Sequence, residues 1–151
     1  MRLLVVWLHL LAVVVWIGGV LQQSLVWFPA ARAHRAEAFV TAARRARPLG
    51  WTAVSIVVLT GFYNVTQLGP LGEVMQSGAA LTLAGKFILV IAAIALAGQR
   101  DFAELPRAHA LLAAGQAPTS ALRAMAWLDR LVLVLAAAII YLGLSLSRLP
   151  N

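Results

Sequence analysis

Two ionisable side chains stand inside long apolar stretches, His9 and Lys86. Lys86 is the only lysine in the chain, and His9 is the only histidine within an apolar run, since His34 and His109 fall between runs. An imidazole can ligate a metal or carry a proton, and an amine can pair with an anionic group or act as a base. A lysine costs about 2.5–3.5 kcal/mol inside a bilayer on insertion scales, and an ionisable residue there, histidine included, is a functional-site hypothesis. Structural uses compete with that reading: Lys86 could snorkel to the nearer interface, and His9 could make a plain interhelical hydrogen bond. The two act together only if the surrounding elements bring them to one depth.

The surrounding chain is membrane-like. Of 151 residues 62% are hydrophobic and 11% charged, and the mean hydropathy is +0.89, well beyond a soluble domain of average composition. Four runs, at about 3–28, 49–68, 79–98 and 127–146, approach the ~20 residues that a helix needs to cross ~30 Å of hydrocarbon. The first run is too long for a signal-peptide core and carries three tryptophans, so it reads as a retained span. The expectation is an all-α integral membrane protein, a single domain over 1–151 built as an antiparallel bundle of four transmembrane helices.

The cations set the expected orientation. Arg32, Arg35, Arg44, Arg45 and Arg47 lie between the first two runs, and Arg100, Arg107 and Arg123 between the last two. The connection over 67–78 carries no cation and one acid, Glu73. By the positive-inside rule the arginine-bearing connections are cytoplasmic, which puts both termini outside, in a plasma or bacterial inner membrane. The arginines form no stripe with interleaved aromatics, so nucleic acid is not an expected partner. Pro48 is expected to open the second span after a surface helix, and 99–126, with Pro106, Gly115 and Pro118, to form a short surface helix between turns.

Helical spacing of small and polar residues marks the inward seams. They read His9, Ala12, Trp16, Gly19 and Gln23 on the first span, and Gly50, Ala53, Val57, Thr60 and Asn64 on the second. Thr82, Lys86, Leu89, Ala93, Leu96 and Arg100 follow on the third, then Arg130, Val134, Ala137 and Tyr141 on the fourth. At ~1.5 Å per residue His9 lies about 8–9 Å below the outer end of its span, Lys86 about 10 Å, Tyr141 about 8 Å and Asn64 about 6 Å. These four residues are expected to share a pocket in the outer half of the membrane. A second polar layer at the inner end, Gln22, Gln23, Ser24, Gln99, Arg100, Asp101, Asp129 and Arg130, reads as solvated caps and interfacial anchors, with an Asp129 pair to Arg100 or Arg130. The spans hold no nucleophile with a positioned base, phosphate loop, zinc-ligand pair or carboxylate dyad, so hydrolytic and phosphoryl-transfer chemistry is disfavoured.

Trp7-Leu8-His9-Leu10-Leu11 with Trp16-Ile17-Gly18-Gly19, Leu59-Thr60-Gly61-Phe62-Tyr63-Asn64, and Gly85-Lys86-Phe87-Ile88-Leu89-Val90 together resemble the copper-resistance D (CopD) family. They resemble more distantly the HemJ-type protoporphyrinogen oxidases. The resemblance implies copper handling at the outer face, or haem b binding with porphyrin redox chemistry, with His9 and Lys86 carried over in both cases. The chain departs from the HemJ pattern after the first span, at Val26-Trp27-Phe28-Pro29-Ala30, and after the third, at Ala97-Gly98-Gln99-Arg100.

Ligand chemistry bears on the choice. The chain has no cysteine, and beyond Met1 and Met125 only Met75, which disfavours a tight Cu(I) cage within one chain. Copper would rest on His9 with Met75, and Lys86 would tune the local charge. Haem b would take His9 as axial ligand, with Lys86 on a propionate or the iron. A third expectation is an accessory subunit, packed on other membrane subunits or a second copy, with Lys86 meeting a partner's acid. The lipid bilayer is the partner in every case.

Overall fold

In the computed structural model, which describes residues 1–31, 35–67 and 79–146, every described element is helical. Arg32, His34, Glu73, Met75, Arg148 and the outer connection beyond Gln67 lie outside the described residues. The helices are α1 (Arg2–Gln22), a short α2 (Phe28–Ala30), α3 (Ala36–Thr66), α4 (Ala79–Gln99), α5 (Leu105–Ala113) and α6 (Thr119–Leu146). Two π-helical turns, Gln23–Trp27 and Arg100–Glu104, join α1 to α2 and α4 to α5 without a break. Four continuous helices result, Arg2–Ala30, Ala36–Thr66, Ala80–Ala113 and Thr119–Leu144, each long and apolar enough to cross a membrane. The fold is an all-α bundle of four such helices, and the protein is a multi-pass membrane protein.

Two boundaries differ from the sequence expectation. Pro48 does not open a helix but sits inside the 31-residue α3. The missing amide at 48 removes one backbone bond, and alanine, arginine and leucine around it keep both flanks helical. One turn on, the Thr52 hydroxyl donates to the Pro48 carbonyl at 2.9 Å. Residues 99–113 likewise form no turn; the chain stays helical to Ala113 and breaks only over 114–118, where Gly115 takes φ 69°, a left-handed conformation suited to glycine.

The two π-turns share a cause. Each begins six residues before a proline, Gln23 before Pro29 and Arg100 before Pro106. A proline ring collides with the carbonyl four residues back and offers it no amide. Opening the preceding turn by one residue, with Phe28 N–H donating to Gln23 O and Leu105 N–H to Arg100 O, lets the helix continue past it. Such wide turns inside helices recur at functional sites.

α1 packs most extensively on α3, and α4 on α6; α1 also touches α6, and α3 touches α5. Aromatic pairs link α3 to the third long helix: Phe62 and Phe87 with centroids 5.8 Å apart, and Trp51 and Phe102 at 5.2 Å. The closest packing gathers at the arginine-bearing end, where Phe28, Phe39, Val40, Leu105, Leu122 and Met125 form a buried cluster with small alanines. Towards the other end large aliphatic residues such as Val14, Leu59, Leu81, Ile88 and Ile91 stay exposed, as expected where lipid, not protein, covers them.

Candidate functional site

The site at the end opposite the arginine-rich connections starts from one hydrogen bond. His9 Nδ1 lies 2.8 Å from Thr60 Oγ1, joining α1 to α3. The Thr60 hydroxyl is also 2.5 Å from the Ile56 carbonyl, and an intrahelical carbonyl can only accept. A hydroxyl has one proton to give. Donated to Ile56, it leaves the oxygen as acceptor towards His9, so Nδ1 carries the imidazole hydrogen and Nε2 holds a free lone pair. A neighbouring hydrogen bond that fixes the tautomer in this way is the usual support of a metal-ligating histidine.

Glycines make room for both ionisable groups. A Cβ at Gly61 would stand 3.4 Å from His9 Cε1, and a Cβ at Gly143 would stand 3.4 Å from Lys86 Nζ. His9 thus packs on α3 and Lys86 on α6. Both residues are partly buried. The structure brings together His9, Thr60 and Gly61 on one side and Lys86 and Gly143 on the other.

The other predicted site residues fare differently. Asn64 lies partly buried in the last turn of α3, one turn beyond Thr60, where its carbonyl accepts from Gln67 N–H. Among the described residues its side chain bonds to neither His9 nor Lys86. Tyr141 does not join the site: it is 72% exposed, as are its seam companions Arg130, Val134 and Ala137. The face that α6 turns inward carries Met125, Asp129, Val132 and Ala136. The expected seam chose Arg130, whose guanidinium instead lies over Trp127 at 5.4 Å, and missed that a paired aspartate can face inward. The signal was present, because Asp129, Val132, Ala136 and Gly143 also fall at helical spacing. Thr60 was visible on the second seam, but nothing in one sequence marked it as the partner of His9.

The polar layer at the arginine-bearing end is not a set of solvated caps. Arg100, Asp101 and Asp129 are all buried, Asp129 to 1% exposure. Arg100 pairs with Asp101 through Nη1 and lies with Nε 2.9 Å from Asp129 Oδ1. Trp51 Nε1 donates to Asp101 Oδ2 at 3.0 Å. The expected pairing of Asp129 with Arg100 is present, but inside the bundle. A shallow surface cavity of ≈ 800 Å³ runs along the outer face of α3 past Glu37, Thr41 and Arg45, away from both polar sites. Among the described residues no group of three or more histidines, aspartates or glutamates could hold a metal ion.

None of three comparisons with known proteins, against family models, curated sequences and solved structures, returns a match.

Proposed function

We propose that this multi-pass membrane protein binds a metal centre through His9 Nε2, in the outer half of a plasma or bacterial inner membrane, with copper as the metal handled. The observation that carries the reading is the His9–Thr60–Ile56 chain, which leaves Nε2 of His9 as a lone-pair donor. Imidazole suits copper, and the resemblance to the CopD family points the same way. The arginine distribution supports placing the His9 end outside. Met75 would be a further donor by its chemistry. Binding or translocation of copper, with Lys86 tuning the charge, would make the protein part of copper handling.

The position of Lys86 favours a second reading. An ammonium on the His9 side of the bundle attracts an anion, so an anionic porphyrin would use both residues. In that reading His9 is the axial ligand of haem b and Lys86 meets a propionate, the outline of the HemJ-type oxidases.

One sample distinguishes them. The detergent-purified protein is examined by visible absorption, oxidised and reduced, and by metal analysis. Stoichiometric copper without colour, lost in His9→Ala, supports copper handling. A Soret band lost in His9→Ala supports the haem reading. Neither signal leaves an accessory subunit that packs on a larger membrane complex, which co-purification would identify.

A further inference from the structure

The buried centre at the arginine-bearing end carries its own inference, independent of any metal at His9. Each of the four long helices contributes to this level: Gln23 and Ser24 from the π-turn after α1, Trp51 from α3, Arg100 and Asp101 from the π-turn after α4, and Asp129 from α6. The helix α6 packs against both π-turns. Antiparallel register agrees, since Phe28 shares the buried cluster with Met125 and Ala126, and moving four residues back along α1 and four forward along α6 brings Ser24 level with Asp129.

The charges at this centre do not cancel. Arg100 is one cation facing two carboxylates, Asp101 and Asp129. Asp101 is satisfied on both oxygens, by Arg100 and by Trp51. Asp129 is not: Oδ1 faces Arg100, while Oδ2 is buried without a hydrogen-bond partner. Gln23 Oε1, Ser24 Oγ and Arg100 Nη2 are also buried without a hydrogen-bond partner, as is Glu104 Oε2, which has the Arg107 guanidinium 3.6 Å away. Of these Gln23 Oε1 and Glu104 Oε2 can only accept, and Ser24 Oγ can accept as well as donate. An unpaired buried acceptor costs about 1–3 kcal/mol, and a surplus buried negative charge costs more. A proton removes the larger penalty, because it neutralises the surplus carboxylate.

We propose that this centre is a proton-binding site in which Asp129 Oδ2 takes one exchangeable proton from water and returns it. The O–H bond forms at Oδ2 and the hydroxide or conjugate base stays in solution; Arg100 keeps its charge and its pair with Asp101. The charged groups facing Asp129 are Arg100 and Asp101 on the π-turn after α4; Gln23 and Ser24, on the other π-turn that α6 packs against, are neutral. On its own helix Arg130 points outward, and Arg107 on α5 is exposed and lies 3.6 Å from Glu104.

The test is infrared difference spectroscopy of the full-length protein in lipid, titrated from mildly alkaline to mildly acidic buffer. Asp101 and Asp129 are the only aspartates in the chain, so ¹³C-aspartate labelling reports on two groups. The expected result is a protonated-carboxyl band that grows on acidification, shifts with the label and in D₂O, persists in Asp101→Asn and vanishes in Asp129→Asn. Should Asp129→Asn fail to fold, the labelled wild type and Asp101→Asn still decide the assignment. Absence of a label-sensitive band throughout the titration overturns the proposal, as does its loss in Asp101→Asn with Asp129 intact. Stabilisation at fixed pH by sodium over choline, without such a band, overturns it in favour of a metal cation.

Discussion

Lys86 Nζ lies over Gly143 of the facing helix, where a Cβ would stand 3.4 Å from the nitrogen. Lys86 sits partly buried against α6 at this glycine, where an alanine Cβ would make an ordinary contact and a larger side chain would crowd the amine. Gly143→Ala is expected to change thermal stability by less than about 1 kcal/mol, because the tip of a lysine can give way. Gly143→Leu is expected to displace Lys86 and expose it, raising its rate of reaction with an amine-directed reagent several-fold. Equal labelling of Gly143→Leu and wild type would contradict the placement.

Thr60 holds the His9 tautomer, so removing its hydroxyl separates ligand orientation from ligand identity. Thr60→Val is expected to cost about 1 kcal/mol for the lost hydrogen bond. It should also weaken metal binding at His9 by about tenfold, the lower end for removing the group that orients a ligating histidine. Nitrogen NMR of labelled histidine checks the tautomer directly: wild type should show His9 protonated at Nδ1, and Thr60→Val a mixture. Unchanged tautomer and affinity would assign the contact to packing alone.

In the buried centre the order of damage follows from who is left unpaired. Arg100→Met strands two buried carboxylates and is expected to cost the most, at the upper end of about 3–5 kcal/mol for breaking a buried pair. Asp129→Ala leaves Arg100 with Asp101 and should cost less. Asp129→Asn keeps the shape and removes the surplus charge, so it should be the mildest of the three. Melting curves in one detergent give the ranking, and an Asp129→Asn less stable than Asp129→Ala would contradict it.

Phe39 and Leu81 contrast the two environments of the bundle. Phe39 is buried in the cluster at the arginine-bearing end, its ring tilted against that of Phe28 at 5.0 Å between centroids. Phe39→Ala is expected to cost about 3–5 kcal/mol. Leu81 is 84% exposed on a helix surface available to lipid, and Leu81→Ala should stay within about 0.5 kcal/mol. Comparable losses from both would mean that α4 packs against another protein at Leu81.

Pro106 is the expected origin of the second π-turn. Pro106→Ala restores an amide at 106 and removes the ring clash with Phe102. The turn should then close to α, rotating Arg100 and Asp101 by about one residue's arc of ~100° against α6 and pulling Arg100 off Asp129. Hydrogen exchange at Arg100–Glu104 and the melting temperature would report it. An intact Arg100–Asp129 pair in the variant would assign the π-turn to the ion pair and not to the proline.

The sequence by itself determined the four spans, their helical character and three of their four inward faces, because those follow from run length and from small and polar residues at helical spacing. It also singled out His9 and Lys86, since an ionisable group in an apolar run is costly wherever the run lies. What only the tertiary structure decided were matters of partnership. The choice between Asp129 and Arg130 as the inward residue of α6 depends on Arg100 waiting on the neighbouring helix, and one residue's rotation carries Tyr141 from the expected pocket to the lipid face. Thr60 as the acceptor for His9, and Gly61 and Gly143 as the spaces for the two side chains, depend on how α1 meets α3 and α4 meets α6. A helix's own periodicity says which residues share a face; only the packed neighbour says which face, and which charge, can be afforded inside.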